Sequence, residues 1–396
     1  MKLGIYCDSG INGGHEEMLK RFMLALVASV HVETLHILVP VANEPLHRYV
    51  SDLAAAHPKV RTVSLSYTAE SIRGNVFALL RMARSTAATL RALRLDKLMI
   101  AQGTIASGLA GLLAARFSRT TAVSYLPLVD DAPENAGLSG KIKWLIKRVL
   151  YRLPDEYVTL NDHLRGKLKT LAPNARAMIL ENYVDDRFSR STLTKEAARA
   201  ALGLPDDTTI IAHVGRLNFQ QKRQDFLMQA IERHADAFKR TVVLIIGEGP
   251  DAPRLQAMID ASPALSACVR MAGPQKDVLP YIVASDVLVL PSAYEGVPLV
   301  MIETVLAERP IVVSRVSGLD SYLPDALLFP AHDHDAFVER IFAARDFPLA
   351  ALTGAFRRRF SREAFDAQAQ NVLLHNGGSR NGGPQATHKH SDVLAK

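Results

Sequence analysis

Two glutamates, Glu295 and Glu303, flank a segment whose residue types suit the binding of a phosphorylated ligand. The apolar residues 287–290 predict a strand, and Pro298 is typical of a first helical turn, so the segment forms a turn between a strand and a helix. Unpaired N–H groups in the first turn of a helix, together with the helix dipole, attract a diphosphate. We assign this diphosphate site to Gly296, Val297, Leu299 and Val300.

The two carboxylates have different expected roles. A carboxylate beside phosphate is repelled by it, so we expect Glu295 to accept hydrogen bonds from the hydroxyl groups of an attached sugar. Glu303 falls inside the helix among apolar residues, where an ionised carboxylate needs donors, and a ribose diol would supply two. The alternatives are a surface position for Glu303 and a chance spacing of the pair. The segment indicates a nucleotide-sugar site.

Two cations, Arg216 and Lys222, follow a strand predicted at residues 210–214. A forked guanidinium and a compact ammonium suit a diphosphate leaving group, because they stabilise the negative charge that develops as the sugar departs. These cations could replace a metal ion, and no Asp-x-Asp pair lies in a plausible site. The sequence therefore predicts catalysis by Arg216, Lys222 and Glu295 without metal or cofactor; the alternative for both cations is solvation at the surface.

Glycines follow several predicted strands. Gly13 and Gly14 come after a strand at residues 2–7 and before a helix beginning near His15, and glycine there lets the backbone approach phosphate closely. An ordinary glycine turn is the alternative, because a full dinucleotide fingerprint is absent. Gly215 and Gly249 follow strands in the second half of the chain. Since ligands bind at the carboxyl ends of parallel strands, we expect these turns and the Glu295 turn to open into one cleft.

Apolar runs and helical stretches alternate along the chain, which predicts an α/β fold with parallel sheets. In the first half, strands are predicted at residues 2–7, 35–39, 97–100, 121–125 and 157–160. The polar, helix-prone residues 189–208 predict a linker region. We therefore expect a first domain at 1–188, a second domain at 209–359, a final helix at 360–375 and a disordered tail at 376–396.

Six segments, taken in order and spacing over about three hundred residues, resemble the retaining glycosyltransferases of family 4, the glycosyl transferases of group 1. They are residues 13–16, 182–188, 213–217 with Lys222, 246–250, 284–287, and the glutamate pair with 309–314. The resemblance implies the GT-B fold, two Rossmann-like domains facing a central cleft, with the final helix crossing back to the first domain. It also implies metal-independent transfer of a hexosyl unit from a nucleotide-diphosphate sugar by front-face attack, with retention. The expected acceptor is a glycan or a lipid-linked saccharide in cell-envelope or exopolysaccharide synthesis.

One stretch departs from the family pattern. Many members place a histidine near the donor sugar in the first domain, whereas residues 124–130 of this chain contain none. Tyr125 or Asp130 is expected to supply that hydrogen bond or to serve the acceptor, and His15 is a further candidate, with helix capping as its alternative. Two other functions stay open: a nucleotide-sugar epimerase on the same fold, and a non-catalytic nucleotide-binding partner in glycan assembly.

The net charge of +7 is uneven, because residues 1–190 carry 25 Lys and Arg against 17 Asp and Glu (+8), whereas residues 191–396 carry 22 against 23 (−1). The first half is therefore expected to meet an acidic partner. Residues 141–153 predict an amphipathic helix with one aliphatic stripe and an opposite aromatic face. We predict that the aromatic face, flanked by basic residues, rests on an anionic membrane; the alternative is a helix that packs its aliphatic stripe on the sheet. The residues assigned to the membrane-facing side are Lys143, Trp144, Lys147, Arg148 and Tyr151.

A second basic stripe is expected from Arg73, Arg84 and Arg91. Nucleic acid is the rival acidic partner, but glycine-rich phosphate turns favour a small ligand, and we predict no nucleic-acid binding. Cys7 and Cys268 lie in separate predicted strands, which indicates neither a disulfide framework nor a zinc site. With no secretory or transmembrane pattern, we expect a cytoplasmic protein, peripheral on the inner face of the plasma membrane.

Overall fold

The computed structural model describes residues 1–10, 14–131 and 137–374. Gly13, the side chain of His15 and the tail predicted at 376–396 lie outside the described residues. The chain divides into two compact units: residues 1–182 with the helical residues 363–374, and residues 183–362. Each unit is built around its own parallel sheet, which confirms the predicted α/β class.

Seven strands form the sheet of the first unit: β1 Lys2–Tyr6, β2 Thr34–Pro40, β3 Val60–Leu65, β4 Lys97–Ala101, β5 Thr121–Tyr125, β6 Glu156–Thr159 and β7 Arg176–Ile179. They lie in the order β3-β2-β1-β4-β5-β6-β7, and all neighbours are parallel. Strand β4 is buried along its whole length, as expected for the centre of a sheet covered on both faces. The edge strand β3 contains both polar and apolar residues, and it was not among the strands predicted from apolar runs.

The helices between these strands are α1 Gly14–Ala28, α2 Glu44–Ala56, α3 Val76–Leu93, α4 Leu109–Ser118, α5 Leu138–Leu150 and α6 Asp162–Leu171. Asparagine begins three of them, because its side-chain oxygen accepts a hydrogen bond from an otherwise unpaired N–H in the first turn. Asn43 caps α2, Asn75 caps α3 and Asn161 caps α6.

Six strands form the sheet of the second unit: β8 Thr209–Val214, β9 Thr241–Ile246, β10 Val269–Gly273, β11 Val287–Leu290, β12 Ile311–Ser314 and β13 Leu328–Phe329. Their order is β10-β9-β8-β11-β12-β13, again all parallel. The remaining helices are α7 Lys195–Leu202, α8 Gln224–Arg233, α9 Ala252–Ala261, α10 Pro263–Cys268, α11 Leu279–Ala284, α12 Leu299–Leu306, α13 His334–Ala343, α14 Ala350–Arg359 and α15 Arg362–Leu374.

The expected division of the chain needs two corrections. The first unit ends at Asn182 rather than at residue 188. The predicted linker 189–208 is not a separate segment, because it contains α7, whose Arg199 donates to the Asp286 carboxylate at 2.7 Å inside the second unit. The polar residues that predicted a linker form the solvent-exposed face of α7, which packs on the second unit. From residue 363, α15 belongs with the first unit, where Gln368 accepts a hydrogen bond from the Glu181 N–H at 3.1 Å.

Both sheets reverse their strand order at their first strand. The reversal lies between β1 and β4 in the first unit and between β8 and β11 in the second. At such a point the connections on either side run away from each other, which leaves a crevice at the carboxyl ends of the two strands. We therefore expect a ligand site of the second unit at the loops that follow β8 and β11.

Candidate functional site

A buried ion pair joins the loops that follow β8 and β11. The Lys222 Nζ lies 2.5 Å from the Glu295 Oε1, and the two side chains are 14% and 6% exposed. The Ser292 hydroxyl donates to the same carboxylate oxygen at 2.7 Å. The second oxygen, Oε2, makes no hydrogen bond to any residue that the structure describes. The site thus contains a fixed charge pair with one carboxylate oxygen still available.

The loop after β8 has a fold that carries Lys222 to Glu295. Asn218 closes a tight turn, in which its side chain accepts from the Gln221 N–H at 3.0 Å and its carbonyl accepts from the Lys222 N–H at 2.7 Å. The Gln221 carbonyl then accepts from the Ala293 N–H at 2.7 Å, which ties this loop to the loop after β11. Lys222 and Glu295 are 73 residues apart in sequence but share one rigid backbone junction.

Serine hydroxyls hold the Glu295 loop from the neighbouring strand. Ser314, at the end of β12, donates to the Ser292 carbonyl at 2.5 Å, and the Ser317 hydroxyl accepts from the Glu295 N–H at 3.2 Å. Sequence reasoning missed all three serines. The spacing of Ser292 three residues before Glu295 was a visible signal, whereas nothing local marked Ser314 or Ser317.

Glycine is required where the turns after β8 and β9 meet. A Cβ on Gly247 would lie 2.0 Å from the Gly215 carbonyl oxygen, and a Cβ on Gly249 would lie 2.2 Å from the Leu217 carbonyl oxygen. The turns are also hydrogen-bonded, the Leu217 N–H donating to the Glu248 carbonyl at 2.9 Å. The turns therefore approach each other backbone to backbone, and donor binding by Gly215 and Gly249 stays a prediction.

A buried polar chain fixes the backbone of Arg216. The His213 Nδ1 faces the Val289 carbonyl at 3.0 Å, which can only accept, so Nδ1 carries the proton and Nε2 accepts. The Gln224 Nε2 donates to that nitrogen at 3.0 Å and to the Arg216 carbonyl at 3.0 Å. His213 and Gln224 are completely buried. Desolvation is the main reason that the pKa of His213 is lowered to about 4, so the ring is neutral at physiological pH.

The lowered pKa of His213 predicts that folding stability depends on pH. The pKa of His213 is 6.5 in the unfolded chain and about 4 in the folded protein, so the folded state binds the proton less tightly. The contribution of neutral His213 to folding stability is therefore complete above pH 6.5 and is lost as the pH falls toward 4. We expect unfolding free energy to drop by up to about 3 kcal/mol over that window from this group alone. Urea unfolding at pH 7 and pH 4.5 measures it.

Two variants control the pH experiment. His213→Phe should be less stable at pH 7 but should lose most of the extra acid sensitivity, because no titrating ring remains. Replacing the exposed His31 with Phe should leave the wild-type pH dependence in place. An unchanged acid sensitivity in His213→Phe would contradict the assignment of a neutral buried ring.

The helix after the Glu295 loop begins one residue later than expected. Pro298 is the N-cap of α12, with φ −61° and ψ 127°, rather than its first residue. The Met301 N–H donates to the Pro298 carbonyl at 3.1 Å, whereas the N–H groups of Leu299 and Val300 have no backbone partner among the described residues. These two N–H groups lie where the sequence predicts a diphosphate, and the binding of an anion there stays a prediction. Gly296 and Val297 are buried in the turn, and Glu303 is half-buried within α12.

Arg216 differs from Lys222 in its surroundings. Its side chain is exposed at the carboxyl end of β8, and its guanidinium makes no ion pair with a residue in the described part of the chain. The structure thus separates the two predicted cations: Lys222 is held by Glu295, and Arg216 is anchored only through its backbone. An anion arriving at this edge would meet an unneutralised guanidinium.

The candidate residues of the first unit are described within that unit. Gly14 is the first residue of α1, while Gly13 and the His15 side chain lie outside the described residues. The Tyr125 ring is buried and stacks on Phe22 with centroids 6.5 Å apart, and burial raises its pKa well above the usual value. A role for Tyr125 in positioning the sugar or the acceptor stays a prediction.

The Asp130 carboxylate has two partners within the first unit. Its carboxylate pairs with the Lys147 Nζ at 2.5 Å and accepts from the Tyr151 hydroxyl at 3.0 Å, so it fastens α5 to the loop after β5. A role in sugar positioning would have to compete with both partners.

The orientation predicted for α5 is reversed. Tyr151 is fully buried and Trp144 half-buried, so the aromatic face lies against the protein. Lys147 is drawn to the same side by Asp130, whereas Lys143 and Arg148 are exposed as predicted. The predicted basic stripe on α3 is reduced to Arg84 and Arg91, because Arg73 precedes the helix. Among the helices of the described residues, none has both the length and the apolar character needed to cross a bilayer.

Comparison with known proteins finds similarity to sugar-transferring enzymes over part of the chain. Residues 208–344 match the family described as Glycosyl transferases group 1. The D-inositol 3-phosphate glycosyltransferase of Saccharomonospora viridis is 28% identical over 200 residues, covering 47% of this chain and 44% of that protein. The UDP-Gal:alpha-D-GlcNAc-diphosphoundecaprenol alpha-1,3-galactosyltransferase of Escherichia coli is 26% identical over 174 residues, covering 42% and 45%. The chain therefore spans less than half the length of these relatives.

Solved structures support the architecture over a longer stretch. The crystal structure of Anabaena HepE in complex with UDP and glucose superposes with a TM-score of 0.73 at 16% identity, covering 95% of this chain and 100% of that one. A likeness at this identity shows the fold, and it confirms the predicted GT-B fold.

Proposed function

We propose that this chain, whose residues 208–344 match the glycosyl transferases of group 1, moves a hexosyl unit from a nucleotide-diphosphate sugar to a glycan or lipid-linked saccharide with retention of anomeric configuration, as in family 4. The relative from Escherichia coli is named for a diphosphoundecaprenol acceptor, which supports a lipid-linked saccharide and a role in cell-envelope or exopolysaccharide synthesis. HepE, the structural neighbour, binds UDP and glucose, which supports a uridine diphosphate donor. We also propose action at the cytoplasmic face of a membrane.

The observation that carries the proposal is the Lys222–Glu295 pair at the strand-order reversal of the second sheet. A buried ion pair of this kind contributes little to stability over apolar residues of the same size, so stability alone does not explain its presence. A donor that is anionic at its diphosphate and rich in hydroxyls at its sugar supplies that reason. It offers an acceptor for the ammonium and donors for the carboxylate.

The geometry assigns a part to each group. The available Oε2 of Glu295 accepts from sugar hydroxyls, while Lys222, already oriented through Oε1, shares its ammonium with the departing phosphate. Arg216 adds the exposed guanidinium, and the unpaired N–H groups of Leu299 and Val300 complete the anion site. Charges fixed before the bond breaks lower the barrier without reorganisation, by several kcal/mol in comparable sites. In this proposal the cations supply the charge stabilisation that a metal ion provides elsewhere.

Replacing Arg216 with Ala should weaken both binding and turnover. Its guanidinium meets the diphosphate in the ground state and in the transition state, so we expect about tenfold weaker UDP binding and about a hundredfold lower kcat/KM. Calorimetry with UDP and a donor-turnover assay measure the two effects. Arg240→Ala is the control, because Arg240 is exposed at the amino end of β9, whereas Arg216 lies at the carboxyl end of β8. An unchanged UDP affinity in Arg216→Ala would contradict the assignment of Arg216 to the donor site.

The proposed function is tested by supplying nucleotide sugars with and without acceptor. A thermal-shift screen identifies the donor first, since a ligand at a hundred times its Kd adds about 2.7 kcal/mol to stability. We expect the protein to release nucleotide diphosphate only when a saccharide acceptor is present, and to do so in EDTA as well. Donor conversion without acceptor would favour the epimerase, and binding without turnover would favour a non-catalytic partner.

A further inference from the structure

Helix α5 turns its apolar side away from the protein. Five aliphatic side chains along it are between 52% and 77% exposed, and no residue of the helix is buried. They are Leu138, Ile142, Leu145, Ile146 and Val149, here called the aliphatic face. At about 100° per residue they span an arc of about 100°, the width of the stripe by which an amphipathic helix normally packs on a core.

The opposite side of α5 is the one that is fastened. Tyr151, at its carboxyl end, is buried, and its carbonyl accepts from the Tyr157 hydroxyl at 2.7 Å. Asp130 binds both Lys147 and Tyr151, as described above. These contacts come from β6 and from the loop after β5, and they set the rotation of the helix about its axis. The outward direction of the aliphatic face is therefore built into the first unit.

Charge indicates what covers this face. The helix contains four basic residues and no acidic residue. Lys141 and Arg148 flank the aliphatic face on one side and Lys143 flanks it on the other. All three are exposed and make no ion pair within the described residues. A second copy of the same face would bring like charges together, whereas an anionic bilayer offers acyl chains to the aliphatic side chains and headgroups to the cations.

Helix α3 of the same unit presents a related feature. It begins after β3, so its first turn lies at the carboxyl edge of the same sheet at which α5 begins after β5. Its first residues, Val76 and Phe77, are 64% and 89% exposed, and the basic Arg73 and Arg81 close to them are exposed as well. A large exposed aromatic residue beside arginines suits the headgroup region of a bilayer.

We infer that the aliphatic face of α5 is a docking surface for an anionic lipid bilayer, in which the helix lies in the plane of the interface with its basic flanks among the headgroups. This places the lipid on the side of the helix opposite to the one that the sequence suggested. The inference concerns the first unit and stands independently of the proposed transfer reaction.

Vesicle flotation tests the surface. The wild-type protein should float with vesicles of phosphatidylglycerol and phosphatidylcholine and not with phosphatidylcholine alone. Leu145→Ser/Val149→Ser should lower partitioning at least tenfold, because the apolar contact is lost. Lys141→Glu/Lys143→Glu/Arg148→Glu should lower it by about a hundredfold, since each cation near an anionic surface contributes about 1 kcal/mol.

Matched controls remove the same kind of residue elsewhere. Val30→Ser/Val41→Ser takes two exposed apolar side chains from other parts of the first unit, and Arg270→Glu/Arg345→Glu/Arg358→Glu reverses three exposed charges in the second unit. Both control variants should float like wild type. Equal flotation of the α5 variants and their controls would overturn the proposal. So would a dimer in light scattering that only Leu145→Ser/Val149→Ser dissociates, because the face would then bind a second copy.

The single tryptophan gives an independent readout of orientation. Trp144 lies on the protein side of α5, so brominated phosphatidylglycerol should quench its fluorescence weakly even when the protein is bound. Strong quenching together with undiminished flotation of Leu145→Ser/Val149→Ser would mean that the aromatic face enters the lipid instead. The UDP-induced thermal shift should be the same in all these variants, so a failed docking surface is distinguishable from a failed donor site.

Discussion

Glu295→Ala should lower turnover at least about a hundredfold while leaving the affinity for nucleotide diphosphate unchanged or slightly tighter. The carboxylate is expected to hold the sugar, which UDP lacks. Its loss also releases the Lys222 ammonium, now 2.5 Å from Oε1, to interact fully with phosphate. Steady-state kinetics with the donor identified by thermal shift, and calorimetry with UDP, measure the two quantities.

Two neighbouring substitutions sharpen this test. Glu295→Gln keeps the size of the side chain and a hydrogen-bond acceptor but removes the charge, so it should recover little turnover if the ionised carboxylate matters. Ser292→Ala removes one donor to Oε1 and leaves Lys222 in place, so its effect should be about tenfold or less. A parallel loss of UDP affinity in Glu295→Ala would contradict the division of labour between the carboxylate and the two cations.

Gly247→Ala should be the most destabilising change at the site. The new Cβ would lie 2.0 Å from the Gly215 carbonyl oxygen, and the backbone φ of +138° is strained for any residue with a side chain. Neither backbone can move without breaking the junction between the turns after β8 and β9. We expect a loss of more than about 3 kcal/mol, equivalent to a fall in Tm of about 10 °C for a unit of this size, together with loss of the UDP-induced shift.

Gly203→Ala provides the comparison for Gly247→Ala. Gly203 also has a positive φ, +62°, but nothing lies within 4 Å of its Cβ position. The cost should then be the conformational one alone, about 1 kcal/mol. If the two variants unfold at the same temperature, the close contact between the turns does not limit the stability of the second unit.

Local sequence was sufficient where one segment carries the whole signal. The strands at 121–125 and 287–290 match β5 and β11 residue for residue, because short segments rich in β-branched, aromatic and aliphatic residues are typical of strands. Glu295, Arg216 and Lys222 were found as residue types that follow strands. Strand β3 was missed, since an edge strand with polar residues has no continuous apolar run. The serines that support Glu295 were missed because their partners are distant in sequence.

Helix α5 shows where periodicity stops being informative. The sequence established that a helix with an aliphatic stripe and an aromatic face exists, and both are present. It could not determine which face meets the protein, because that choice depends on Asp130 and Tyr157, which come from neighbouring elements. Two polar contacts and a buried tyrosine decided against the arrangement that apolar area alone would favour.

The amino-acid sequence by itself determined the two parallel sheets, the glycine turns and the identity of the charged groups, since each depends on residue types within a few positions of one another. Tertiary structure alone decided that Lys222 and Glu295 form a pair, that Asp130 binds Lys147, and that the aliphatic side chains of α5 point outward. Those outcomes depend on contacts between segments that folding brings together. The energy of such a contact depends on both residues, and neither residue's neighbours in sequence identify its partner.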